Sequence, residues 1–233
     1  LANSLGDRMK GYEYVNRNFL IKRMPVVIRL DGRAFHTYTK HVDKPFSEDL
    51  HRVRKYVLEF LCTNIQGVIA GYSQSDEISL VLKDWSTFKT EAWFSNNLQK
   101  MCSISASMCT MAWNYYLKDD SEEGQLFPTA VFDSRVFNIP REEVVNYLLW
   151  RQQDWERNSV QMLAQSLYSH KELQGKSCSQ LITKIEEEFN IIWGNLLPWK
   201  KQGEIWFGGK TQESFLFKDN RVLIEEELNL ELN

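Results

Sequence analysis

The sequence lacks a disulfide or zinc-finger framework, a membrane-spanning run and a global basic field. Its four cysteines, Cys62, Cys102, Cys109 and Cys178, include no CxxC pair, and no histidine stands near them at zinc-finger spacing. They read as buried thiols of a reducing compartment rather than a disulfide framework or a zinc site. No apolar run is long enough to cross a bilayer, and residues 1–10 lack the apolar stretch of a signal peptide. A cytoplasmic location without membrane association is therefore expected. There is no internal repeat and no low-complexity segment. There is also no excess of positive charge. The formal net charge is -3, so any polyanionic partner must be held by local basic patches and not by the global field.

What is present fits a folded domain. The chain has 233 residues, 43 % hydrophobic and 25 % charged, with eight Trp, nine Tyr and thirteen Phe. Pro25 precedes the β-branched run Val26-Val27-Ile28-Arg29-Leu30, which stops at Asp31-Gly32. This predicts a buried strand that delivers Asp31 to its end. Ser47 then opens a helix. Leu50, Val53, Val57, Phe60 and Leu61 recur at spacings of three and four, and Arg52, Arg54 and Lys55 between them put basic charge toward solvent. Residues 67–72 and 77–83 read as two strands of a hairpin with Asp76 near its tip.

A long helix is expected over residues 86–118, an acidic loop over 119–124, and a fourth strand over 130–138. A second long helix follows from Pro140 to about residue 169. After a polar break at 171–179, the pattern predicts a helix over 180–189 and an aromatic segment with Trp193, Trp199, Trp206 and Phe207. Residues 225–233 read as an acidic edge strand or tail. The order strand, helix, strand, strand, helix, strand is the split βαβ arrangement. The fold class is thus α+β, a ferredoxin-like polymerase palm (βαββαβ) with a helical and aromatic C-terminal extension. The palm occupies residues 1–170, and residues 171–233 pack on it.

Asp31 and Asp76 would lie at adjoining ends of the two central strands of such a sheet. Mg²⁺ is satisfied by one or two carboxylates plus substrate phosphates, and a pair of such ions suits phosphoryl or nucleotidyl transfer. Spacing alone leaves a second reading open, because Asp-Gly and Ser-Asp are also common turn dipeptides.

The motifs point one way. Asp31-Gly32-Arg33-Ala34-Phe35-His36, followed by Lys44-Pro45, resembles the DGRxFH…KP segment of the tRNA-histidine guanylyltransferase family and its Thg1-like relatives. Tyr72-Ser73-Gln74-Ser75-Asp76-Glu77-Ile78-Ser79 is similar to its QSDEYS segment, Phe132-Asp133-Ser134-Arg135-Val136 to its FDGRV strand, and Trp150-Arg151-Gln152-Gln153-Asp154 to its WRQxD helix. Four matches in family order over residues 25–160 are a specific signal.

The resemblance implies a 5′-end nucleotidyltransferase acting on tRNA, with two Mg²⁺ ions on Asp31, Asp76 and the Gly32 carbonyl. Backbone amides in the Arg33, Ala34, Phe35 and His36 segment would cradle a triphosphate of GTP or ATP, with Lys44 neutralising it. Ser75, Lys100 and Arg135 would hold a second phosphate group at the activated 5′ end. Asp154 and Asn158 fall in the region tied to 5′-end activation, and a homotetramer is implied. Eukaryotic members carry His-Ile-Asn-Asn after WRQxD, where this chain reads Glu156-Arg157-Asn158-Ser159. The departure favours the Thg1-like reaction, template-directed 3′-to-5′ repair of truncated tRNA, over addition of the extra G to tRNA-histidine. A palm-type nucleotidyl cyclase lacks its own signature here. A base-stacking RNA-binding module would expose aromatics on central strands that here are aliphatic.

Overall fold

The computed structural model describes residues 4–120, 128–212 and 214–228. Helix α1 (Leu5–Val15) leads to β1 (Val26–Gly32), the short α2 (Phe35–Tyr38) and α3 (Glu48–Asn64). A hairpin of β2 (Val68–Gln74) and β3 (Glu77–Leu82) follows, then α4 (Leu98–Asp120), β4 (Phe132–Asn138) and α5 (Val144–Leu167). The rest comprises α6 (His170–Leu173), α7 (Cys178–Phe189), α8 (Pro198–Lys201), β5 (Glu204–Phe207), β6 (Lys210–Gln212) and α9 (Arg221–Leu228).

The strands form one antiparallel sheet in the order β4-β1-β3-β2-β5-β6. Strand period two splits β1 between two cores. Val26, Ile28 and Leu30 pack with Ile78 and Leu80 against Val57, Leu58 and Leu61 of α3 and Met101 and Trp113 of α4. Val27 and Val81 pack on the opposite face with Val144, Val145 and Leu148 of α5. A third cluster joins α5 to α7 through Leu163, Ala164, Leu181 and Ile185. Ser47 caps α3 as expected, its hydroxyl accepting from the Leu50 amide.

Several boundaries differ from the pattern-based reading. The long helix expected from residue 86 begins at Leu98. Thr87 and Thr90 close a turn on each other, Phe94, Ser95 and Asn96 take left-handed backbone conformations, and the Asn97 side chain accepts from the Lys100 amide to start α4. The helix expected from Pro140 begins at Val144 after a single 3₁₀ turn, Arg141–Glu143. Residues 119 and 120 belong to α4, while 121–124 lie outside the described residues. The tail beginning at 225 is helical to Leu228, with 229–233 outside the described residues.

The largest difference concerns the aromatic segment. Ile205 and Trp206 lie within β5, which pairs with β2, so this region adds two strands to the sheet. Phe215 and Phe217 fold back under it, with Phe217 at 5.6 Å from the Tyr72 ring. Lys83 then reaches the Glu227 carbonyl at 2.5 Å, and the Trp85 indole donates to the Leu228 carbonyl, which seats the end of α9. Phe217 is fully buried. Phe217→Ala is expected to cost about 3–5 kcal/mol of global stability in urea unfolding. A loss confined to a separate, early transition would contradict a core shared by both halves of the chain.

Candidate active site

Strand β1 carries an arginine in the middle of an aliphatic run, and that residue organises the site. On the face opposite α3 and α4, β1 presents Arg29 and Asp31, and β3 presents Glu77 beside Asp31 in register. Glu77 is 5 % exposed. Arg29 Nη2 lies 2.5 Å from its Oε2. From α5, Arg151 grips the same carboxylate through Nε at 2.6 Å and Nη2 at 2.8 Å. A bidentate contact of this kind is the strong form of the ion pair, and burial removes the competition from water. Burial would lower the Arg151 pKa, but its hydrogen bonds and charge contact with Glu77 outweigh this and hold it raised. Arg151 continues to Asp154 at 2.9 Å, and Asp154 also contacts Arg157 and Asn158.

Above this network the two predicted carboxylates line one cleft. The Gly32 amide donates to the Asp76 carbonyl at 3.1 Å, so the end of β1 is fastened to the hairpin tip. A side chain at Gly32 would stand 2.2 Å from the Phe35 ring and 2.9 Å from the Asp76 Cβ. Only glycine permits that approach. Ser75 turns the hairpin with a left-handed φ of 47°. Asp31 and Asp76 line one cleft of about 390 Å³ together with Arg29, Gln74, Glu77 and Arg151. Gln74 Oε1 and Arg29 Nε are buried there with no hydrogen-bond partner among the described residues.

The Asp76 carboxyl is pushed up to about 6. Burial is the main cause, the Ser75 hydroxyl and the backbone oppose it, and the charges of Asp31 and Glu77 add to the rise. A cation between Asp31 and Asp76 would relieve that repulsion. Among the described residues no group of three or more His, Cys, Asp or Glu side chains is placed to hold a metal. The donor set therefore does not form an all-protein cage. It fits Mg²⁺, which takes one or two carboxylates and completes its shell with water and phosphate oxygens.

The other predicted residues divide. Ser75, His36 and Lys44 line a neighbouring cleft of about 570 Å³ that also reaches Asp76. The Arg33 amide is engaged by the Val131 carbonyl at 2.8 Å, whereas the amides of Ala34, Phe35 and His36 have no acceptor among the described residues. Phe35 is also core, packed on Tyr38, Trp113 and Phe132. Arg135, on the strand expected over 130–138, is 58 % exposed at the sheet edge, 3.7 Å from Asp31 and 3.9 Å from Asp133. Lys100 lines a different cleft, with Arg17 and Asn97. Ser75, Lys100 and Arg135 are thus not brought to one point within a single chain. Asp154 and Asn158 do line the carboxylate cleft. Glu77, the first residue of the strand expected over 77–83, is the buried centre of the network. The signal for it was Arg29, since a charge inside a buried strand requires a partner.

The sequence profile described as tRNAHis guanylyltransferase (Thg1) matches residues 6–140. The chain belongs to the Thg1 family. Members are nucleotidyltransferases acting on tRNA, and this chain is an enzyme of that class. A bacterial Thg1-like protein solved in complex with ATP superposes with a TM-score of 0.92 at 40 % identity, covering 97 % of this chain and 100 % of that one. A bacterial Thg1-like protein solved with GTP gives 0.81 at 36 % identity over 97 % and 100 %. The probable tRNA(His) guanylyltransferase of Homo sapiens is 29 % identical over 201 residues, which span 81 % of this chain and 66 % of the human one. Among the described residues no helix is long and apolar enough to cross a membrane.

Two predictions test the electrostatics. Because the Asp76 pKa is higher in the folded state than in the unfolded chain, ionising it costs stability as pH rises from about 4 through 6. In metal-free buffer Asp76→Asn should be more stable than wild type at pH 8, by on the order of 2 kcal/mol. The gain should shrink as pH falls below 6. An equal gain at pH 4 and pH 8 in urea titrations would refute the cause given. Glu77→Ala takes the carboxylate from the half-buried Arg29 and leaves the buried Arg151 with Asp154 alone, and should cost about 3–5 kcal/mol in the same assay. A cost below 1 kcal/mol would show that the network carries no weight.

Proposed function

We propose that the chain extends tRNA at its 5′ end in the 3′-to-5′ direction, copying the opposite strand, and so repairs 5′-truncated tRNA. The observation that carries this reading is the convergence of Asp31 and Asp76 at one strand end, tied by Gly32 and underpinned by Glu77, in a chain similar to bacterial Thg1-like proteins. The strand order β4-β1-β3-β2, with α3 and α4 as crossovers, supports the ferredoxin-like palm within this reading.

Asp31 and Asp76 hold Mg²⁺, with the Gly32 carbonyl as a further ligand. When bound, the ions lower the pKa of an attacking hydroxyl and stabilise a leaving pyrophosphate. The chain's own groups position the reactants. The left-handed Ala34 turn directs the amides of Ala34, Phe35 and His36 outward as an anion nest for a GTP or ATP triphosphate. Lys44, at the mouth of the same cleft, neutralises phosphate charge. Ser75, on the cleft rim, and Arg135, beside Asp31, contact a second phosphate group, while Lys100, in a separate cleft, takes no part in this within one chain. The incoming nucleotide's 3′-hydroxyl attacks the activated 5′ end.

Repair is favoured over G addition to tRNA-histidine by residues 156–159. Ser159 is fully buried and accepts from the Trp193 indole at 3.0 Å, and Glu156 is half-buried. Glu156 and Ser159 serve the packing of α5, only Asn158 lines the carboxylate cleft, and the His-Ile-Asn-Asn of eukaryotic members is not reproduced. Assembly to a homotetramer belongs to the same reading. Helix α1 has no buried residue and exposes Leu5, Met9, Tyr12 and Val15. A second copy would cover that surface and add basic contacts for tRNA to a net-acidic chain.

The test is a 5′-extension assay on a tRNA lacking its first nucleotide, with monophosphate and triphosphate ends compared. Addition of the complementary nucleotide is expected, and Asp31→Ala or Asp76→Ala should reduce it by at least about a hundredfold. Addition opposite A as readily as opposite the complement would remove the repair assignment.

A further inference from the structure

Arg54 was read from the sequence as one of three solvent-facing charges on α3. It is 4 % exposed. Its Nε donates to Glu204 Oε2 of β5 at 3.0 Å. His51 contacts the other oxygen of Glu204 at 2.7 Å, and its ring stacks on Trp199 at 4.1 Å. Arg54 Nη2 is buried and has no acceptor among the described residues. An unpaired guanidinium nitrogen in a buried position is costly, and α3 tolerates it at a place where the chain has built a slot.

That slot is lined by Arg54 and by Phe46, Leu50, Trp155, Met162 and Trp199. It shares Phe35, Lys44 and Ser75 with the cleft that reaches Asp76, so the two are continuous. Phe46 sits edge-on to both Trp155 and Trp199. Aromatic and apolar walls suit a flat heterocycle. They do not suit a phosphate, because the Arg54 charge is already balanced by Glu204. We propose that Arg54 selects the nucleobase of the triphosphate held at Asp31 and Asp76, by donating from Nη2 to an acceptor on the base.

This rests on the reading of the Asp31–Asp76 cleft as a nucleoside triphosphate site. A guanidinium donates and never accepts. Guanine presents O6 and N7 as two acceptors on one edge, whereas adenine presents a donor at N6 beside N7. The slot therefore prefers guanine. The preference requires the 6-oxo group and not the 2-amino group, so hypoxanthine serves equally.

The experiment is equilibrium binding of GTP, ITP, ATP and 2-aminopurine riboside triphosphate to the whole protein with Mg²⁺. GTP and ITP should bind alike, and about tenfold more tightly than the two triphosphates that lack O6. Arg54→Met combined with Glu204→Gln, which strands no buried charge, should bring the GTP-to-ATP affinity ratio to within about twofold of one. The inference is overturned if ATP binds as tightly as GTP to the wild type, or if the double variant keeps the wild-type ratio. If the double variant does not fold, the four-nucleotide series on the wild type decides alone. Absence of binding by all four triphosphates would overturn the proposed function as well, whereas tight binding without base preference overturns the role of Arg54 only.

Discussion

The site depends on one buried carboxylate. Glu77 is held by Arg29 from the neighbouring strand and by Arg151 from the helix above. Three separate elements, β1, β3 and α5, are thereby locked at one point. Asp76 is the next residue, and Asp31 stands opposite Glu77 in the β1–β3 register. The geometry of the reacting end follows from a contact that itself touches no substrate. Isolated ion pairs at a surface seldom decide anything, but a bidentate pair in a water-poor interior fixes both distance and angle.

The same network explains how a net-acidic chain can handle polyphosphate. Arg29 and Arg151 are committed to Glu77 and Asp154, so the floor of the cleft is close to neutral. Asp31 and Asp76 add negative charge above it, and the raised pKa of Asp76 registers first its burial and, in smaller part, that crowding. In the proposed function a divalent cation would turn this pair into a phosphate-binding surface, and polyphosphate recognition would then need no basic field over the whole molecule.

The residues legible in the sequence were those whose local surroundings determine them. The β-branched run ending at Asp31-Gly32 read as a strand end because β propensity stops where turn chemistry begins. Ser47 read as a cap because the helical period starts just after it. The buried partners could not be read this way. Arg54 meets Glu204 across 150 positions, and Arg151 meets Glu77 across 74. Periodicity assigned Arg54 to solvent because it lies between apolar positions on a helix wheel, and β5 then arrived to cover it. The start of α4 was misplaced for a related reason. Residues 86–97 carry acceptable helix formers, but Thr87–Thr90 and Asn97 make side-chain hydrogen bonds that end or begin structure locally.

The most direct measurement is anomalous diffraction from crystals grown with Mn²⁺ and a non-hydrolysable GTP analogue. The account predicts Mn²⁺ density bonded to carboxylate oxygens of both Asp31 and Asp76 and to phosphate oxygens of the analogue. Density at neither aspartate, or a nucleotide bound without metal in another cleft, would contradict it.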